Sequence, residues 1–136
     1  MERISDYDAI AAVLTKYVEG IVTGSTKLVR EAFHPQATMS GHFLVPDRPG
    51  VKAFIIVPAA DAICAYLDNA PPVAESSPDY QHRIVSIDLC DTVAAATLAE
   101  RNLEGADFVT YFHLHKVDGQ WLIASKATYG QPARPD

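Results

Sequence analysis

The chain has 136 residues, a formal net charge of −6, 49% hydrophobic residues and 21% charged ones. That is the size of one domain spanning 1–136, able to bury about two thirds of the surface its unfolded form exposes. No Lys/Arg run or basic stripe crosses it, so nucleic acid is not an expected partner. No apolar stretch approaches the ~18 residues of a membrane span either. The opening MERISDYDA lacks the basic segment and apolar core of a secretory leader. Cys64 and Cys90 each lie in an apolar segment and read as two buried thiols rather than a disulfide. The expected setting is the cytoplasm.

Ile10, Val13, Leu14, Tyr17, Val18 and Ile21 recur at three- and four-residue spacing, which predicts a first helix with one buried face. Ser5 fits its cap, with Asp8 where a carboxylate can reach back, and Gly24 fits its left-handed end. Ser25 caps a short second helix through Phe33, with Leu28, Ala32 and Phe33 inward, stopped by Pro35. Residues 37 to 44 alternate as a strand, VPDRPG turns, and VKAFIIV is a β-branched second strand. Pro58 suits the first position of a third helix running to about Asn69. A proline-rich loop covers residues 70–79. Strands follow near 80–89, 92–102, 107–117 and 120–129, the last two joined through Val117-Asp118-Gly119 as a hairpin, and residues 130–136 form a loose tail. Helices first and an antiparallel meander afterwards predict an α+β fold with the helices segregated on one face.

The pieces KYVEGIVTGS, LVREAFHPQATMSG and DFVTYFHLHKVDGQWLIASKATY, in this order, resemble the nuclear transport factor 2-like superfamily. Within it, the SnoaL-like and lumazine-binding families are the nearest look-alikes. The resemblance covers nearly the whole chain. It implies a cystatin-like cone: three N-terminal helices on a strongly curved, mostly antiparallel sheet of about six strands. A pocket would lie between the concave face and the helices, and dimers through the sheet are common in that superfamily. It does not imply one reaction, because this fold hosts isomerases, dehydratases, cyclases, hydrolases and binding modules.

Strand alternation sorts the penultimate strand into Val109, Tyr111, His113 and His115 against Phe108, Thr110, Phe112, Leu114 and Lys116. Alignment to the family pattern makes the Tyr111 face the concave one. Phe112 and Leu114 then fall on the convex face, as the apolar patch of a homodimer. On the last strand the same comparison turns Leu122, Ala124, Lys126 and Thr128 inward, an assignment that one bulge reverses. The expected ligand-binding set is therefore Tyr17, Met39, Phe54, Tyr111, His113, His115 and Lys126.

His113-x-His115 is a zinc-ligand spacing, but a third ligand from His34, His42 or His82 would be needed, and no Glu-x-x-His or Cys-x-x-Cys supports it. No metal and no cofactor are expected. His113 as a general base, with Tyr17 as hydrogen-bond donor, is chemically sensible. Lys126 is read either as a desolvated amine, or as a clamp for a substrate carboxylate, or as a lysine tethered to a carboxylate at the pocket mouth. Tyr17 aligns with the oxyanion-hole tyrosine of the ketosteroid isomerases, yet Gly41 and Tyr111 stand where that family has its two carboxylic acids. The limonene-epoxide-hydrolase set of Asp, Arg and Asp finds no clear counterpart among Arg83, Arg101 and Asp107. Two functions remain open: a small-molecule-binding pocket protein, and a metal-independent acid–base enzyme (cyclase, dehydratase or isomerase) working on a small hydrophobic substrate in the same pocket.

Overall fold

The computed structural model describes residues 4–135. Residues 1–3 and 136, the outermost parts of the N-terminal stretch and of the tail, lie outside the described residues. Helix α1 spans Asp6–Thr23; Ser5 Oγ accepts the Asp8 N–H at 3.1 Å, and Gly24 closes the helix at φ 76°. Ser25 repeats the device for α2 (Thr26–Ala32), accepting the Leu28 N–H at 3.2 Å. Leu28 itself is only half-buried, and Val29 takes the inward place beside Ala32. Phe33 does not finish α2 but opens strand β1 (Phe33–Leu44). The residue before Pro35 is barred from helical geometry, and the chain is already extended one residue earlier.

Strand β2 is Lys52–Pro58 and helix α3 is Ala59–Asp68, with Pro58 standing just outside it as the cap. The proline-rich loop holds a single helical turn, α4 (Val73–Ser76). The meander comprises β3 (Gln81–Cys90), β4 (Val93–Leu103), β5 (Ala106–Val117) and β6 (Gln120–Pro132). All six strands form one curved sheet in the order β2-β1-β6-β5-β4-β3, antiparallel except for the parallel β1–β6 pair. This is the expected α+β architecture with the helices on one face. Among the described residues no helix is long and apolar enough to cross a membrane.

The core lies between that face and the helices. Ile10, Leu14 and Val18 of α1 and Ile63, Cys64 and Leu67 of α3 meet Phe33, Leu98, Phe112, Leu114 and Ile123 of the sheet. Asp6 ties the start of α1 to the last hairpin, accepting from Trp121 Nε1 at 3.0 Å and Lys116 Nζ at 3.1 Å.

Several expected placements are overturned. Phe112 and Leu114 are fully buried under the helices, whereas Tyr111 is 60% exposed and His113 and His115 face outward with it. The alternation was sound, but its faces are exchanged: two large apolar side chains need helix cover, while imidazoles and a phenol keep their hydration on the convex side. Phe112 and Leu114 consequently form no dimer patch. Phe54 is also convex, 59% exposed, its ring 5.1 Å from that of His42. Cys90 is exposed and only Cys64 is buried. The tail is not loose from residue 130: β6 runs to Pro132, the Ala133 N–H reaches Gly105 O at 2.9 Å, and the Arg134 N–H reaches Asp107 at 3.2 Å.

The exchanged faces are directly measurable. Phe112→Ala should lower the unfolding free energy by about 3–5 kcal/mol through the cavity it leaves. Tyr111→Ala should change it by less than about 1 kcal/mol, as an exposed residue does. Urea titrations of both variants, followed by circular dichroism, decide it; equal losses would mean that the faces are not divided in this way.

Candidate functional site

The side chains of interest on the inner face come from α1 and from several strands. Tyr17, late on α1, is 3% exposed, with its ring edge-on to Phe33 at 5.6 Å and Phe112 at 5.7 Å. Met39 comes inward from β1 at 7% exposure. Glu100, on β4, is 3% exposed and accepts a 2.6 Å hydrogen bond from the Tyr80 hydroxyl, just before β3. Lys126, on β6, is 8% exposed; its Nζ lies 3.6 Å from Met39 Sδ and 5.4 Å from the centre of the Tyr17 ring.

Lys126 owes its position to an irregularity. His113 pairs with Ser125 but Leu114 pairs with Ile123, so Ala124 is an extra residue in β6. Trp121 and Ile123 face inward before the bulge, and Lys126, Thr128 and Gly130 face inward after it. The expected inward set was therefore right for Lys126 and Thr128 and wrong for Leu122 and Ala124, which are only half-buried.

Beyond Lys126 the Thr110 and Thr128 hydroxyls share a buried 2.7 Å hydrogen bond. The floor is then closed by the Phe43 and Phe108 rings, 6.1 Å apart. Phe108 lies so close over Gly130 that a Cβ there would sit 2.5 Å from the ring. Gly41, on the neighbouring strand, likewise has no space for a side chain, with Thr128 Cγ2 at 2.7 Å. Bare backbone at these two places lets aromatic rings lie flat on the sheet.

Burial acts on the ionisable groups in opposite directions. It pushes the Tyr17 hydroxyl well above its ordinary value, and the nearby Glu100 charge adds to the rise. Tyr80 is raised for the same two reasons. Lys126 is lowered from its ordinary 10.5 because water is excluded from its ammonium, an effect that Glu100 opposes in part. Among the described residues Lys126 makes no salt bridge, so neither carboxylate tethering nor a mouth position describes it.

Of the seven expected ligand-binding residues, Tyr17, Met39 and Lys126 come together, while Phe54, Tyr111, His113 and His115 stand on the other side of the sheet. His113 bonds Ser125 Oγ at 3.1 Å on that outer face. His115 lines an outer hollow of about 390 Å³ together with His34, Gln36 and Lys116. A second hollow, of about 400 Å³, is lined by Arg83, Arg101, Asp107 and Tyr129 and also by Glu100 and Phe108. Among the described residues no three His, Cys, Asp or Glu side chains gather as a metal cluster would. Glu100 and Tyr80 were not foreseen. The signal existed for Glu100: it continues the every-second-residue series Ala94, Ala96, Leu98 that faces the core.

An NTF2-like protein of unknown function from Shewanella baltica OS155 is 30% identical, with 98% of this chain and 99% of that one covered at a TM-score of 0.79. One from Methylobacillus flagellatus KT is 31% identical over 96% and 95% of the two chains, at a TM-score of 0.75. The aldolase FrzH of Cladobotryum sp. is 28% identical over 128 residues, 94% of either chain. A family model described as "Putative lumazine-binding" matches residues 5–129. With its six-stranded curved sheet, helix-covered inner face and sequence match along nearly its full length, the chain belongs to this lumazine-binding family of the nuclear transport factor 2-like superfamily.

Proposed function

We propose that the chain binds a small carbonyl compound on the inner face of the sheet and catalyses proton transfer at the carbon beside the carbonyl. One observation carries the reading: a buried carboxylate, a buried amine and a buried phenol converge on a mostly apolar surface, with the half-buried Tyr80 phenol hydrogen-bonded to the carboxylate. Glu100 is the base, Tyr17 donates a hydrogen bond to the developing oxyanion, and Tyr80 holds the carboxylate in place. A phenol whose hydroxyl is pushed upward stays protonated at neutral pH and remains a donor throughout. His113 loses the role of base because its ring lies across the sheet from this cluster. The ligand reaches this face at the end where the Phe43 and Phe108 rings pack directly over Gly41 and Gly130. The relative named as an aldolase supports this chemistry, since an aldol step requires such a proton transfer. Two cysteines left as free thiols suit the reducing cytoplasm.

A homodimer completes the proposal, formed by the convex face through other residues than those first expected. Phe54, His42, Tyr129 and Val109 lie in one cross-strand row, and Ile56, Ser40, Ala127 and Tyr111 in the next. Phe54, Ile56, Tyr111 and Tyr129 are 49% to 65% exposed, a contiguous apolar area of the kind that partners cover.

Three outcomes are expected. In deuterated buffer the protein should speed exchange at the α-carbon of simple ketones such as cyclohexanone, followed by nuclear magnetic resonance. Glu100→Gln should lose ~10²-fold or more of that rate and Tyr17→Phe a smaller part, both remaining folded; a pure binding module would give no exchange in any form. Lys126→Met should be more stable than the parent at pH 7, with the gap narrowing as pH rises and closing only above 10.5. The sign follows from linkage: a lysine lowered in the folded state binds fewer protons there than when unfolded, so the parent gains stability as pH rises towards 10.5. Tyr111→Asp combined with Ile56→Asp should convert a dimer into a monomer by light scattering; an unchanged mass would rule out the convex interface.

A further inference from the structure

We propose that Lys126 acts as a nucleophile that forms an imine with the carbonyl carbon of the bound compound, so the substrate is an aldehyde or ketone held covalently. This deepens, and rests on, the acid–base reading of the same face.

The geometry singles out this amine. Of the side chains that carry ammonium groups, those of Lys16, Lys27 and Lys116 are 41%, 85% and 36% exposed, and each faces a carboxylate. Lys52 contacts Tyr129 at the edge of the convex face. Lys126 alone is buried. A structural lysine at such depth would be expected to have a carboxylate in contact, because an unpaired buried charge is costly. Here the contact of Nζ is a thioether, a weak acceptor, with the face of a phenol ring beyond it. The groups that act on it are Met39 from β1, Tyr17 from α1 and Glu100 from β4, the last hydrogen-bonded to Tyr80. Glu100 is the one carboxylate among them, and one of its oxygens is taken by Tyr80. Exclusion of water from the ammonium lowers its hold on the proton, which is the direction that addition to a carbonyl demands.

The chemistry closes on the side chains present. The Nζ lone pair adds to the carbonyl carbon while the C–O π pair moves onto oxygen, which takes a proton with Tyr17 as the hydrogen-bond donor. The carbinolamine hydroxyl takes a proton from solvent and leaves as water, while the nitrogen pair forms the C=N bond of an iminium ion. Glu100 then removes a proton from the adjacent carbon, and the C–H pair becomes an enamine as the C=N pair returns to nitrogen. Glu100 returns a proton to that carbon to restore the iminium, and one water then hydrolyses it to the product, the neutral amine and the proton given back to solvent, so no external oxidant or reductant is consumed.

Acetylacetone is the probe, since with a neutral amine it loses one water and gives a conjugated enaminone. At pH 7 the wild-type protein should gain one diketone less one water by intact mass, with a new near-ultraviolet band. Peptide mapping should place it on Lys126, labelled at least tenfold faster than Lys16, Lys27, Lys52 or Lys116. Lys126→Arg and Lys126→Met should not develop the band. The map on wild-type protein carries the answer even where a variant folds poorly. No adduct, or equal labelling of the exposed lysines, overturns the imine. Loss of ketone exchange in Glu100→Gln alongside an unlabelled Lys126 would leave the acid–base reading standing without it; absent exchange with Lys126 labelled would sink that reading instead.

Discussion

One surplus residue in β6 sets what the inner face contains. Up to Ile123 the strand serves the hairpin: Trp121 is inward and its indole N–H reaches Asp6 at the head of α1. Strict alternation from there would bring Ser125 and Ala127 inward and leave Lys126 in water. Ala124 breaks the count, the register with β5 slips by one, and Lys126, Thr128 and Gly130 become the interior side of the same strand. The strand thus meets two incompatible demands, one from the helix anchor and one from the polar cluster. A ladder irregularity is how a sheet re-aims a side chain without changing its topology.

The rest is desolvation by the helices. Ile10, Leu14 and Val18 roof the sheet, and Tyr17 extends that roof over Lys126. Excluding water disfavours whichever form of a group is charged, so one environment lowers an ammonium and raises two phenols. Their affinities for the proton are moved in opposite directions from their usual nearness. The phenols are held as donors and the amine is eased toward its neutral state. The 2.6 Å contact from Tyr80 fixes Glu100, so its free oxygen keeps a defined direction. None of this needs a strained backbone; it follows from placing polar groups late on elements that are otherwise apolar.

The fold was legible because its signals are periodic and redundant. Caps at Ser5 and Ser25, the left-handed Gly24 and the Asp118-Gly119 turn each have a local cause, and each stands where the spacing puts it. The site was legible only in part. Tyr17 and Met39 could be placed because a helix face and a strand face continue their apolar neighbours. Tyr111, His113 and His115 were misplaced because alternation defines two faces but does not say which is covered. Burial of Phe112 and Leu114 was the better guide, as two bulky hydrocarbons gain more from cover than imidazoles lose by staying wet. The bulge at Ala124 has no sequence signature of its own. Glu100 was overlooked although its spacing from Leu98 marks it as inward, since a lone carboxylate in an apolar series reads by habit as exposed.

The proposed chemistry and the proposed association draw on alternate residues of the same strands. Thr110 and Phe112 face the cluster while Val109, Tyr111 and His113 between them face outward. Lys126 and Thr128 are separated by the outward Ala127, which sits beside Tyr111 in the convex row. The sheet is one residue thick, so any partner seated on the outer face presses on the backbone that carries the inner groups. A flat association along the Tyr111 row would therefore resist changes in twist at the β5–β6 pair, where the register slips. That is where stiffness matters most, because unwinding the slip would turn Lys126 out of the cluster. The apolar outer surface is in this sense a mechanical complement to the buried amine, with the bulge as the point at which the two faces meet.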